Sequence, residues 1–154
     1  MSTSGGKRIS EVMDKAGRRL AVTYRKTAEL QLDPNNPRTH TPRQIKQIAR
    51  SIETFGFIVP AVVDADGNIM AGHGRIFAAL QLGLTEVPTI SVDHLSKTQI
   101  KAFQIADNRL TEIATWDDRL LAQQLKDLSL LTHQGAHMPL IMKAGTVMKN
   151  NLTR

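Results

Sequence analysis

Ala71-Gly72-His73-Gly74-Arg75 joins an alternating apolar run, Asn68-Ile69-Met70-Ala71, to a second run, Ile76-Phe77-Ala78-Ala79-Leu80, that closes at Gly83. The alternation reads as a strand and the second run as a helix, so the five residues form a strand-to-helix turn. Two glycines free the backbone to turn tightly and let a ligand approach it. The start of the helix offers unpaired amide donors and the positive end of a dipole. His73 and Arg75 add side-chain donors. Two readings fit the stretch: a small anion site, for phosphate, or a corner that serves only to turn the chain.

Upstream, Glu29-Leu30-Gln31-Leu32-Asp33 alternates with period two and reads as an edge strand, followed by an irregular loop, Pro34-Asn35-Asn36-Pro37-Arg38, that ends in a cation. Thr41, Pro42 and Gln44 have the order of an N-cap, a first helical residue and a capping-box partner. Ile45, Ile48, Ala49, Ile52 and Phe55 then make one apolar stripe, ended by Gly56. Phe57 to Val63 reads as a buried strand with an irregularity at Pro60, and Asp64-Ala65-Asp66-Gly67 as the hairpin turn that leads back into Asn68 to Ala71.

Downstream, Val87 to Val92 reads as a further strand, and Ser96-Lys97-Thr98-Gln99 as a second capping box opening a helix with Ile100, Phe103 and Ile105. This helix runs into Ala106-Asp107-Asn108-Arg109. Asp107 and Asn108 offer oxygen ligands to a hard cation such as Mg²⁺, and Arg109 offers a phosphate fork; a helix C-terminus capped by Asn and Arg accounts for the same residues. Thr115-Trp116-Asp117-Asp118 starts a last helix with Leu120, Leu121, Leu125 and Leu128 as its core stripe, and Trp116 reads as a packing residue.

The 154 residues fit one domain with some tail, and the net charge of +6 is unevenly spread. Residues 1–26 hold seven Lys or Arg against Glu11 and Asp14; residues 132–154 hold three basic residues and no acidic one; the middle holds ten basic and twelve acidic residues. The arms are therefore the DNA-seeking parts, and phosphate chemistry in the middle must come from placed groups. The expected division is a basic arm over 1–26, a folded domain over 27–131 and a poorly ordered basic tail over 132–154. A short helix from Ser10 to Leu20 fits within the arm. No apolar run approaches the roughly 18 residues of a membrane span, and the expected location is cytoplasmic. Absence of cysteine excludes disulfides, thiolate zinc sites and a cysteine nucleophile.

Taken together, Asn36-Pro37-Arg38, the capped helix, the hairpin, the Ala-Gly-His-Gly-Arg turn with its Ala-Ala helix, the lead-in Gly83-Leu84-Thr85-Glu86-Val87-Pro88 and Asp107-Asn108-Arg109 resemble the N-terminal domain of the ParB/sulfiredoxin superfamily. The nearest likeness is to the ParB-like nuclease-type domain of phage and bacteria that accompanies DNA methyltransferases. The resemblance covers about residues 27–131 and implies a compact α+β fold, a small mixed sheet with about four helices. In partition proteins of this family the central motif reads Gly-Glu-Arg-Arg, the third motif reads Glu-Asn-x-x-Arg, and CTP with Mg²⁺ closes a clamp on DNA. Carried over by position, Gly72, Gly74 and Arg75 embrace phosphates, Arg38 matches the arginine of the first motif, and Asp107 and Asn108 match the residues near the metal. Two departures stand out: His73 replaces Glu, and Arg109 follows Asn108 directly.

The resemblance implies nucleotide-phosphate binding, of the CTP or ATP class with Mg²⁺, in a setting of DNA partition, modification or regulation; a homodimer is compatible with it. Sulfiredoxin chemistry is ruled out, because that reaction needs a cysteine in this turn. A metal-dependent nuclease or a phosphotransferase, with His73 as catalytic acid or base, is the enzymatic alternative. A DNA-binding adaptor acting through its basic arms is the third reading. Neither a helix-turn-helix nor a methyltransferase domain follows residue 131, so the last 23 residues read as a truncated or frame-shifted continuation, or as the end of a single-domain relative.

Overall fold

The structure, a computed structural model, describes residues 20–132, without the side chains of the last two. The helix expected from Ser10 and the tail expected after residue 131 lie, but for one residue each, outside this range. The elements are β1 (Val22–Lys26), α1 (Pro42–Phe55), β2 (Ala61–Val63), β3 (Ile69–Ala71), α2 (His73–Gln81), β4 (Glu86–Ser91), α3 (Lys97–Ile113) and α4 (Asp118–Thr132), with a short 3-10 turn at Thr27–Glu29. One unit runs to Asn108 and a second begins at Arg109.

In the first unit four strands form a mixed sheet in the order β1-β4-β2-β3. β1 is antiparallel to β4, β4 parallel to β2, and β2 antiparallel to β3. The architecture is α+β, as expected, but the first strand is not where the pattern put it. Val22–Lys26, within the stretch read as a basic arm, forms β1. Glu29 to Asp33 is not a strand: it begins in the 3-10 turn and pairs with the sheet through an isolated bridge between Gln31 and Asn68. β2 is shorter than the apolar run suggested, because residues 57–60 are irregular up to Pro60.

Local chemistry accounts for α1. Thr41 Oγ1 accepts the Gln44 amide at 3.2 Å, Pro42 starts the helix, and Gly56, at φ 86°, ends it with its amide on the Ile52 carbonyl at 2.8 Å. Gln44 does not complete a capping box; its Oε1 lies 3.2 Å from His40 Nδ1. The second box does close, with Ser96 and Gln99 exchanging bonds of 2.8 and 3.3 Å. In the hairpin turn, Asp64 accepts the amides of Asp66 and Asn68 and the Asn68 side chain, so its carboxylate is committed to the turn.

The core is Ala61, Val63, Ile69, Ile76, Ala79 and Val87, with Leu30, Phe57 and Leu84 against it. Each fully buried Val or Ile there contributes about 1.5–3 kcal/mol. α2 lies between α1 and β2, with His73, Gly74, Ile76, Ala78 and Ala79 buried. In the second unit, Asp117 caps α4 through its side chain to Leu120 N at 3.0 Å. Trp116, read as a packing residue, is exposed at 66%, and Leu120 of the expected stripe at 50%. No helix among the described residues is long and apolar enough to cross a membrane.

Candidate functional site

The turn at 71–75 is the first turn of α2, with Gly72 as its N-cap. Gly72 is left-handed, at φ 96° and ψ 19°, and its carbonyl accepts from both Arg75 N at 3.0 Å and Ile76 N at 3.1 Å. The amides of His73 and Gly74 come too early in the helix to find a carbonyl one turn back. A Cβ on Gly72 would stand 2.9 Å from Arg75 Nη2 and 3.3 Å from Ala61. Glycine is needed there for the backbone angle, and its lack of a side chain lets the Arg75 guanidinium fold across it.

Arg75 is half-buried, which differs from the exposed position a turn arginine suggests. Its Nη2 donates to the Pro60 carbonyl at 3.2 Å, and its buried Nε has no partner among the described residues. Burial pushes its pKa below the ordinary arginine range, against the opposing pull of the Asp107 carboxylate, and the group stays charged at neutral pH.

His73 is 6% exposed, and its Nε2 accepts the Asp33 amide at 3.4 Å. Burial lowers its pKa, the Asp33 carboxylate raises it, and His40 lowers it further; the net direction is down. The ring is therefore neutral at pH 7 with its proton on Nδ1, an assignment that follows from the amide donating to Nε2.

The loop of residues 33–41 and the first part of α3 supply the remaining groups of this unit. Asp33 accepts Asn35 N at 2.8 Å and Gln104 Nε2 at 3.4 Å. Asn36 Oδ1 accepts the Arg38 amide at 3.2 Å, fixing the cation that the two prolines and asparagines lead up to. Arg38 Nη1 then donates to Asn108 Oδ1 at 3.2 Å, which brings the first and third sequence motifs together.

Asp107, Asn108 and Arg109 do not cap a helix end. α3 continues to Ile113, and the three residues lie on it one after another. Arg109 belongs to the second unit, where it is 72% exposed and pairs with Glu112 at 2.9 Å. Among the described residues no group of three or more His, Cys, Asp or Glu is arranged to hold a metal. Asp107 and Asn108 could give Mg²⁺ two oxygen ligands, a donor set that suits an ion completed by water and phosphate oxygens.

Reading the sequence missed Asp33, His40, Gln104 and the Pro60 carbonyl. Asp33 closes an alternating run and was absorbed into it. Gln104 carries no signal by type or spacing. His40, directly before a helix cap, was the one residue whose chemistry could have drawn attention.

A family model, that of the ParB N-terminal domain, matches residues 11–112. The ParB-like nuclease domain-containing protein YnaK of Escherichia coli (strain K12) is 40% identical over 81 residues, 53% of this chain and 93% of its own. The nucleoid occlusion protein of Bacillus mycoides (strain KBAB4) is 28% identical over 136 residues, 80% of this chain. This chain spans 47% of that relative's length. In fold, the chain is similar to the C-terminally truncated chromosome-partitioning protein ParB from Caulobacter crescentus complexed with CTP-γ-S, with a TM-score of 0.61 at 22% identity over 74% of this chain and 64% of that one. With two thirds of its length matched by one family and its sheet and helices matching a member's, the chain belongs to the ParB N-terminal domain family.

Proposed function

We propose that the domain binds the phosphates of a nucleoside triphosphate of the CTP or ATP class, with Mg²⁺, and that it works in DNA partition, modification or regulation. The observation that carries this reading is Arg75: a charged guanidinium half-buried at the first turn of α2, with a buried Nε that nothing among the described residues satisfies. An unmade hydrogen bond on a charged group costs more than one on a neutral group, and a phosphate oxygen is the partner whose geometry suits it. Gly72, His73 and Gly74 would contribute backbone amides, Arg38 a second guanidinium, and Asp107 with Asn108 the protein ligands of the ion. Bound there, Mg²⁺ would supply charge neutralisation between phosphates. Two proteins similar to this chain support the setting, one named for nucleoid occlusion and one partition protein solved with a CTP analogue.

The test is calorimetric titration with CTP, ATP and ADP, each with and without Mg²⁺, beside an Arg75→Lys chain that keeps the charge but loses the fork. Saturable binding of one nucleotide by the wild type, weakened tenfold or more in Arg75→Lys, is expected. Equal binding by the two chains removes the reading.

A second reading, metal-assisted nuclease action, has one observation in its favour: the name of the 40% identical relative. It would use His73 as acid or base. Cleavage of DNA by wild type that is lost in His73→Gln would establish it. As to DNA, the residues expected to contact it are those of the flanking basic segments, 1–26 and 132–154, of which Val22–Lys26 is paired in the sheet with four of its five residues exposed.

A further inference from the structure

Gly74 has no side chain, and the space a Cβ would enter is already taken. Built there, it would stand 3.0 Å from His40 Cε1, 3.1 Å from His40 Nδ1 and 3.0 Å from Ile48 Cδ1. The His40 imidazole therefore lies against the second residue of α2, next to the helix's unpaired first amides.

The ring is held, not merely lodged. Its Nδ1 lies 3.2 Å from Gln44 Oε1, and an amide oxygen only accepts, so the proton sits on Nδ1 and Nε2 faces away from that bond. Gln44 supplies this contact in place of the second half of the α1 capping box. The two histidines thus have different tasks. His73 is buried, with Nε2 taken by the Asp33 amide; His40 is half-buried, with no partner for Nε2 among the described residues. An anion on the first turn of α2 would favour a protonated His40, whose Nε2–H⁺ could donate to it. The neighbours of the ring from α1, Gln44 and Ile48, are uncharged; from α2 the titratable group coupled to it is His73, itself coupled to Asp33.

We propose that His40 contacts the bound phosphates directly, supplying from the loop before α1 a further charged donor beside that of Arg75, at the place where α2 has Gly74 and no side chain. The inference rests on the phosphate-binding reading above and adds a residue that neither motif nor spacing assigns. It also gives Gly74 a reason: a side chain there would crowd the ring and Ile48 and push them from their places by at least a few tenths of an ångström.

The full chain is titrated with inorganic tripolyphosphate and with CTP, as wild type and as His40→Phe, which keeps an aromatic ring beside Gly74 but removes the donor. Loss of a charge-assisted bond should weaken both ligands about tenfold to a hundredfold. Equal affinity of the two chains at equal melting temperature overturns the role of His40 and leaves the phosphate site standing; a wild type that binds neither ligand removes both. Should His40→Phe fail to fold, the wild type alone decides. Its His40 Cε1–H resonance, followed from pH 8 to pH 6 without Mg²⁺, should titrate at higher pH once tripolyphosphate is present, and an unmoved midpoint overturns the proposal.

Discussion

α2 and the first part of α3 both bring candidate residues to the loop of residues 33–41, and they are held by different means. α2 buries five of its nine residues between α1 and the sheet, and its first turn is locked by the left-handed Gly72. α3 has no buried residue, and its described side-chain bonds to the loop are Gln104 to Asp33 at 3.4 Å and Arg38 to Asn108 at 3.2 Å. Apolar burial is strong and insensitive to what binds, whereas polar bonds of that length contribute about 1 kcal/mol or less each. On the proposed reading, the end of the site that would take phosphate is built in advance by the core, and the end that would hold the metal is free to respond to a ligand.

The strongest way to break this contrast is a matched pair of truncations. Ile76, 1% exposed under the first turn of α2, should cost about 2–5 kcal/mol when changed to Ala, with nucleotide affinity falling alongside. Ile105→Ala on α3, at 64% exposure, should stay within about 0.5 kcal/mol. Urea unfolding of the two variants gives the comparison, and similar losses would abolish it.

A smaller effect sharpens it through pH. Burial, with a further push from His40, holds His73 below its ordinary value despite Asp33, so the unfolded chain binds a proton more readily than the folded one. The stability that neutral His73 provides is complete above about pH 6.5 and is lost as pH falls from there through its lowered folded value. His73→Gln should flatten this acid limb in melting experiments between pH 7.5 and 5; an unchanged limb would show that another group causes it.

The smallest expected effect is at Asn108. Changing it to Ala removes one acceptor of Arg38 and should alter stability by less than about 1 kcal/mol, while the Mg²⁺-dependent part of nucleotide affinity drops. A large stability loss with no change in affinity would mean that the Arg38 contact is structural.

How far this could be read from sequence depended on the range of the interactions. α1 was legible because its start and stop are chemistry within a few residues: Thr41, Pro42 and Gly56. The hairpin was legible for the same reason, with Asp64 folding onto Asp66 and Asn68. β1 was not, because the basic residues around Val22–Lys26 outweigh its alternation and its partner β4 lies far along the chain. Asp107-Asn108-Arg109 resembled a helix end by composition, yet nothing in the three residues prevents a helix from continuing, and α3 does. At the candidate site, the motifs singled out Arg38, His73 and Asn108, but the contacts of Asp33, His40 and Gln104 arise only when a loop, α2 and α3 meet.

The pairing of β1 with β4 also bears on how the chain acquires its shape. Thr23 donates and accepts with Thr89 across a separation of 66 residues, the Thr89 hydroxyl reaching the Thr23 carbonyl at 2.9 Å. The β2–β3 hairpin and α2 need only neighbours in sequence, so they can form while synthesis is still under way. Val22–Lys26, made first, has to wait for Glu86–Ser91 to emerge before it has a partner. Of these four strands, the first in sequence thus pairs with the last, and folding speed should be governed by that closure.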